Sequence, residues 1–175
     1  MNDTDSQRGR LGGLLVAQFF GAFNDNAWKL LVTLLGIGYL KAELGPSSPK
    51  LEAESQAFTT LAFVVFTLPL MLFSVPAGLF ADRLSKRSMI LAMKVLEVML
   101  MAAGSVALFM DPSASLPLLA ILALMGMQSA LFSPAKYGIL PEILPHERLS
   151  AGNGALEMWT FFAIIAGSVA AGVLL

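Results

Sequence analysis

The chain has 175 residues and a formal net charge of -1, and 57% of its residues are hydrophobic while 13% are charged. With a mean hydropathy of +0.75, this composition lies outside the range of soluble domains and indicates an integral membrane protein. The nearly neutral charge argues against a nucleic-acid partner. Cysteine is absent and His146 is the single histidine, so the sequence predicts no disulfide, no metal site and no redox cofactor.

Several apolar stretches reach the length of about 20 residues that a helix needs to cross a bilayer core of about 30 Å. We predict five spanning helices, over about residues 11–40, 58–81, 89–110, 116–132 and 155–175. They are joined by a polar segment at 41–56, a basic turn at 82–88, a turn at 111–115 and a longer loop at 133–154. Since these connections are short, consecutive helices should be antiparallel neighbours in an all-α membrane bundle.

Lysine and arginine are distributed unevenly between the two sides of these spans. Lys41 and Lys50 fall on one side, and the bases on the other side are Arg8, Arg10, Arg83, Lys86, Arg87, Lys136 and Arg148. Because cytoplasmic loops carry the excess of these residues, we expect a cytoplasmic N-terminus. An odd number of spans then puts Leu175 on the outer side, and we expect the sequence to be a fragment of a longer polypeptide.

The first predicted helix carries the run Asn24-Asp25-Asn26 inside an apolar stretch. A charge in hydrocarbon costs at least about 2.5 to 3.5 kcal/mol, so Asp25 should face protein or water. Spacings of three and four residues place on one helix face Gln18, Gly21, Asp25 and Lys29. Asp25 then either contacts a substrate or ion in a cavity, or pairs with Lys29 or another helix so that burial is tolerable. The candidate substrate-binding residues are Gln18, Asp25, Asn26 and Lys29.

Other polar residues interrupt the later predicted spans, and they are Lys94, Glu97, Gln128 and Glu157. With antiparallel helices these four should meet in one layer near the cytoplasmic side. The layer is either a charge-satisfied network that holds the helices together or part of a transport gate. We expect Lys94 to form a buried pair with Glu97 or with Glu157.

The turn after the second predicted helix reads Gly78-Leu79-Phe80-Ala81-Asp82-Arg83-Leu84-Ser85-Lys86-Arg87. It resembles the loop between helices 2 and 3 of the major facilitator superfamily, whose motif is G-x-x-x-D-R-x-G-R-R. Ser85 replaces the second glycine, and Lys86 replaces the first of the paired arginines. The resemblance implies that Asp82, Arg83 and Arg87 latch a cytoplasmic gate through contacts with the opposing half. The gate-motif residues are Gly78, Asp82, Arg83, Lys86 and Arg87.

A second stretch reads Ser133-Pro134-Ala135-Lys136-Tyr137-Gly138-Ile139-Leu140-Pro141-Glu142. Together with Gln18-Phe19-Phe20-Gly21-Ala22-Phe23-Asn24-Asp25-Asn26, it looks like the lysophospholipid transporter branch of that superfamily. The signature residues are Ser133, Pro134, Lys136, Tyr137 and Gly138. Read by itself, the stretch is also typical of a loop with proline stops and an interfacial anchor at Lys136 and Tyr137.

The resemblance implies twelve helices in two six-helix halves that work by alternating access, and this chain would supply the N-terminal part with five helices of the first half. The implied function is transport of lysophospholipids, with lyso-phosphatidylethanolamine expected, from the outer to the inner leaflet of a bacterial inner membrane for reacylation. Implied partners are the lysophospholipid, membrane lipids, the remaining helices and a fused or associated acyltransferase. A drug or solute exporter and the membrane domain of an acyltransferase stay open as alternatives. No catalytic set is present in these residues, so we expect no enzyme activity.

Overall fold

The computed structural model describes residues 3–113 and 115–174, and all regular structure in those residues is helical. In chain order the helices are α1 (Asp3–Leu44), α2 (Leu51–Arg83), α3 (Lys86–Met110), α4 (Ser115–Gly138), α5 (Leu140–Ile143) and α6 (Leu149–Val173). A 3-10 turn at His146–Arg148 precedes α6. Residue 175, which ends the last predicted span, and residue 114 in the predicted 111–115 turn lie outside the described residues.

Each long helix extends beyond the apolar stretch that predicted it. Apolar stretches mark only the segment that hydrocarbon would surround, whereas a helix continues into water until its backbone is capped. At the end of α1, Gly45 adopts a φ of +83°, and its N–H donates to the carbonyl of Lys41 at 3.1 Å. This left-handed residue is a common way to end a helix and is tolerated best by glycine.

The predicted loop at 133–154 is wrong, because most of it is helical. α4 continues through Pro134 to Gly138, and α5 and the 3-10 turn follow almost at once. Proline inside a membrane helix removes one hydrogen bond, which neighbouring helices and local adjustment can offset. Pro141 lies at the start of α5, where its missing N–H costs nothing. The residues that suggested a loop therefore mark a change of direction between helices.

Four helical segments are long and apolar enough to cross a membrane in the part of the chain that the structure describes: α2, α3, α4 and His146–Val173. α1 is longer than any of them, but its polar run lowers its hydropathy, and its crossing of the membrane stays a prediction. Large apolar side chains remain exposed on the outer faces of the helices, including Val75 at 76% and Val98 at 69%. Such faces suit contact with lipid.

α4 lies at the centre of the bundle, between α2 and α3, and α1 packs against α6, α2 and α4. Two of these pairs approach at glycines. A Cβ on Gly126 would lie 2.2 Å from the carbonyl oxygen of Phe66, and one on Gly167 would lie 2.4 Å from that of Phe23. Small residues allow such close backbone contact between membrane helices. The first contact brings α4 against α2, and the second brings α6 against α1.

Arg10 of α1, Arg87 of α3 and Glu142 of α5 line one cleft, so the N-terminal part of α1, the α2–α3 turn and the α4–α6 connection meet at one end of the bundle. We call this the basic end. It is the side on which the sequence places the excess of lysine and arginine.

Candidate functional site

The polar residues of α1 face in two directions rather than one. A helix turns by about 100° per residue, so Gln18, Asp25 and Lys29 fall within an arc of about 40°. Gly21 and Asn24 lie about 60° to 120° further round. The three in the narrow arc contact α4, α6 and α2, whereas Gly21 and Asn24 lie against α3.

The first group joins α1 to α4 and α6. Ser129 of α4 donates to the Asp25 carboxylate at 2.5 Å. Lys136 of α4 donates to the side-chain oxygen of Gln18 at 3.2 Å, and the Gln18 amide donates to the Thr160 hydroxyl of α6 at 2.7 Å. These polar side chains therefore link α1, α4 and α6. Hydrocarbon could not have satisfied their hydrogen-bonding groups, so they satisfy one another.

Lys29 does not pair with Asp25 in this structure. Its ammonium donates to the side-chain oxygen of Asn26 at 3.3 Å and lies 5.1 Å from the centre of the Phe66 ring of α2. Asn26 in turn donates to the carbonyl of Ala22 at 2.8 Å. The ammonium of Lys29 is thus in direct contact with an amide oxygen and a ring face, and it forms no salt bridge with a described carboxylate. We use the name polar row for five residues of α1 and α4: Gln18, Asp25, Lys29, Ser129 and Lys136.

The second group is an ion pair on α3. Lys94 donates to Glu97 at 2.6 Å, and Asn24 of α1 donates to the other oxygen of the same carboxylate at 2.7 Å. Gly21 makes room for the lysine, since a Cβ there would lie 2.6 Å from the ammonium nitrogen. The ammonium also lies 4.5 Å from the centre of the Phe132 ring. Glu97 is buried, with 5% of its side chain exposed, and Lys94 is partly exposed at 21%. We call these two residues the buried pair.

The expected single layer of four polar residues is divided in the structure. Lys94 pairs with Glu97, while Gln128 donates to the carbonyl of Met93 at 3.2 Å. Glu157 instead accepts a hydrogen bond from the hydroxyl of Tyr137. Of the two partners expected for Lys94, the structure therefore shows Glu97, which lies on the same helix.

The gate motif lies at the basic end, in the turn between α2 and α3. Asp82, Arg83 and Arg87 are exposed and make no hydrogen bond or ion pair with another described residue. Ser85 caps α3 by accepting from the N–H of Ser88 at 3.1 Å, a role that the glycine of the motif could not perform. A Cβ on Gly78 would meet nothing within 4 Å.

The gate motif and the signature stretch are in contact, which sequence reasoning missed. Lys86 of the motif donates to Glu142, just beyond the signature residues, at 2.7 Å. The side chain of Lys86 also crosses Gly138, where a Cβ would lie 2.9 Å from its Cε. Ser133 and Pro134 lie half-buried in α4.

Two hydroxyls of the site were also missed, those of Ser129 and Thr160. A serine or threonine in a membrane helix can bond to its own helix backbone, as Thr160 does with the carbonyl of Leu156 at 2.7 Å. Their presence therefore gives no signal by itself. The seven-residue spacing between Ser129 and Lys136 is the one feature that places both on the same face of α4.

The arrangement supplies a carboxylate flanked by two lysines along one face, which suits a ligand with separated opposite charges. Within residues 3–113 and 115–174 no group of acidic and histidine side chains is suited to a metal ion.

Comparison with known proteins agrees with this architecture. The family model of the Major Facilitator Superfamily matches residues 14–175. The chain belongs to the Major Facilitator Superfamily. With its apolar helices, it is a multi-pass membrane protein.

Several curated relatives share the name lysophospholipid transporter LplT. The one from Photorhabdus laumondii is 37% identical over 163 residues, which cover 92% of this chain and 35% of the relative. The one from Yersinia enterocolitica is 38% identical over 161 residues, with 92% and 35% covered. The chain thus spans about a third of the length of these relatives. No solved structure gives a significant match.

Proposed function

We propose that the full-length protein carries lysophospholipids, with lyso-phosphatidylethanolamine expected, from the outer to the inner leaflet of a bacterial inner membrane by alternating access. The support is the name shared by relatives that match 92% of the chain. The N-terminus and the basic end would lie in the cytoplasm, following the excess of lysine and arginine there.

The polar row is the observation that carries this proposal. A lyso-phosphatidylethanolamine headgroup has an ammonium and a phosphate, and the row offers the carboxylate of Asp25 together with the ammonium groups of Lys29 and Lys136. Charge-assisted hydrogen bonds to both ends of the headgroup would replace the water that it leaves behind. The acyl chain would need an apolar path, and the methionine-rich and phenylalanine-rich faces of α2 and α3 provide one, with Met71 at 66% exposure.

The gate motif fits the same cycle. Asp82, Arg83 and Arg87 are exposed and make no pair among the described residues, and we propose that they bind groups on the opposing half when the cytoplasmic side is closed. Lys86, which is held by Glu142, would keep the turn in place against α5. Contacts that exist in one state alone are what a two-state transporter needs at its gate.

Transport rather than catalysis is proposed for this chain. The curated relatives are named as transporters, and His146 lies exposed at the start of the 3-10 turn. Reacylation of the delivered lipid would belong to an acyltransferase that is fused or associated.

Replacement of Asp25 by asparagine tests the proposal. Asparagine can still accept the hydrogen bond from Ser129, so the change removes charge with little change in shape. Loss of a charge-assisted contact costs about 1.5 to 3 kcal/mol, and uptake of lyso-phosphatidylethanolamine should fall about tenfold or more. The measurement is transfer of labelled lysolipid into vesicles that contain the full-length protein.

Glu43→Gln is the matched control, because Glu43 is an exposed acid near the end of the same helix. It should transport at the wild-type rate, and both variants should insert into the membrane normally. Uptake by Asp25→Asn at the wild-type rate would refute the role of Asp25.

A further inference from the structure

A cleft lies at the basic end between α1 and α3, on the face of α1 that also carries Gly21 and Asn24, about a quarter turn from the polar row. It has a volume of about 550 Å³. Its walls include Leu14 of α1 and Ile90 of α3, and Ile143 of α5 closes one end. We call this space the basic cleft.

Two arginines from different helices line the basic cleft, Arg10 of α1 and Arg87 of α3. Both are exposed, and neither makes a hydrogen bond or ion pair with another residue that the structure describes. The remaining charges of the cleft are already compensated, since Lys94 belongs to the buried pair and Glu142 accepts from Lys86. Among the described residues, the cleft therefore has an excess of positive charge, which favours an anionic ligand.

The backbone adds to this potential. Arg87 lies in the first turn of α3, which begins at Lys86, and the N-terminal end of a helix carries a partial positive charge. The Arg87 side chain and the N-terminal end of α3 therefore both favour a negatively charged ligand.

An apolar track continues from the arginines along the bundle. Leu91, Val95 and Val98 follow Arg87 on the same side of α3 at spacings of four, eight and eleven residues, and they are 57%, 59% and 69% exposed. Across the cleft, a Cβ on Gly13 of α1 would meet nothing within 4 Å, so that wall is open. A soluble anion would use the arginines and leave the track empty, whereas an anion with an acyl chain would use both.

We propose that the basic cleft binds an anionic phospholipid of the surrounding leaflet, with its phosphate between Arg10 and Arg87 and an acyl chain along Leu91, Val95 and Val98. The site is separate from the polar row and does not depend on the proposed transport activity. Arg87 also belongs to the gate motif, whereas Arg10 does not. Arg10 is therefore the residue that tests lipid binding alone.

The experiment is native mass spectrometry of the full-length protein in detergent with palmitoyl-oleoyl-phosphatidylglycerol. The wild-type protein should retain this lipid. Arg10→Gln should weaken retention about tenfold, as expected when one charge-assisted contact to a phosphate is removed. Arg10→Lys, which keeps the charge, should retain most of the binding.

Arg8→Gln is the matched control, because Arg8 is an equally exposed arginine of the same helix that lines a different pocket with Leu144 and Arg148. It should bind phosphatidylglycerol like the wild type. Diacylglycerol, which lacks the phosphate, should not be retained, and inorganic phosphate should not displace the lipid.

Three results would overturn the proposal. Equal losses in Arg8→Gln and Arg10→Gln would show a diffuse basic surface, and displacement by inorganic phosphate would show a site for a free anion. No retention of the lipid by the wild-type protein would show that another part of the protein fills the cleft. The competition and wild-type measurements decide the matter even if Arg10→Gln fails to fold.

Discussion

The carboxylate of Glu97 is 4% exposed and accepts hydrogen bonds from Lys94 at 2.6 Å and Asn24 at 2.7 Å. Burial removes the water that would otherwise solvate the charge, so these two donors and the charge of the lysine make the buried position tolerable. The second donor comes from α1, which means that the pair also fixes how α1 and α3 face each other. Asn24 therefore acts as a contact between helices.

Removal of Lys94 should destabilise the protein strongly. Lys94→Ala leaves Glu97 buried without a counter-charge, and breaking such a pair costs about 3 to 5 kcal/mol. We expect a clear drop in the melting temperature of the full-length protein in detergent. Lys41→Ala, at an exposed position in the last turn of α1, is the matched control and should melt like the wild type.

A double variant separates charge from packing at this position. Lys94→Met with Glu97→Gln removes both charges, keeps a flexible side chain beside Phe132 and leaves an amide oxygen for Asn24. It should recover most of the lost stability, because a neutral pair needs no compensation. Melting of Lys94→Ala at the wild-type temperature would mean that Glu97 is solvated rather than held by the lysine.

At the scale of helices, backbone contact at Gly126 sets the approach of α4 to α2. A Cβ there would lie 2.2 Å from the carbonyl oxygen of Phe66, and a carbonyl of the main chain cannot rotate away as a side chain can. Gly126→Ala should therefore push the two helices apart and cost about 1 to 3 kcal/mol. The measurement is again the melting temperature in detergent.

Gly154→Ala is the control for that substitution. Gly154 lies inside α6, where an added Cβ would meet nothing within 4 Å, so alanine should be neutral or stabilising by up to about 1 kcal/mol through its better helix propensity. Equal effects of the two changes would contradict a close approach at Gly126.

The parts of the helices that cross the bilayer were predictable from the sequence, because the bilayer sets their length. The parts that extend beyond it were less predictable. The apolar stretches located the central part of every long helix, because a span needs a minimum run of apolar residues. The polar ends of α1 and α2 were missed because hydropathy does not require them. The loop expected at 133–154 failed because proline and glycine were taken as stops, whereas Pro134 lies within α4.

The candidate site, like the helices, was predictable from the sequence only in part. Asp25 stood out because an intramembrane charge is costly, but its partner Ser129 did not, since a hydroxyl can be satisfied by its own helix. The partner of Glu157 also depended on how α4 and α6 are rotated toward each other. Tyr137 faces it, and one sequence contains no information on that rotation. Lys94 pairs with Glu97, one of the two partners that the sequence left open. Asp25 and Lys29 are also one helical turn apart but do not pair, so spacing within a helix permits an ion pair without fixing it.

At the scale of the whole molecule, the α2–α3 turn exposes charged side chains that have no partner among the described residues. The chain spans about a third of the length of its curated relatives, and we propose that the partners of Asp82 and Arg83 lie in the opposing half. Lys86 does not share this property, because Glu142 already holds it. One side of the turn is thus fixed to α5, and the other side stays exposed.

Asp82→Asn should therefore shift the full-length transporter toward the state that is open at the basic end. The loss of one charge-assisted contact would change a poised equilibrium about tenfold. A cysteine at Ser133, which lies on α4 between Ser129 and Lys136, can report this, since residues 1–175 contain no cysteine and any cysteine elsewhere in the full-length protein is first replaced by serine. We expect faster labelling from the cytoplasmic side in Asp82→Asn, and a rate close to that of the wild type in Asp82→Glu, which keeps the charge. If Asp82→Asn labels as slowly as the wild-type protein, Asp82 forms no latch. Equally fast labelling in Asp82→Glu and Asp82→Asn would also contradict a latch that depends on the charge.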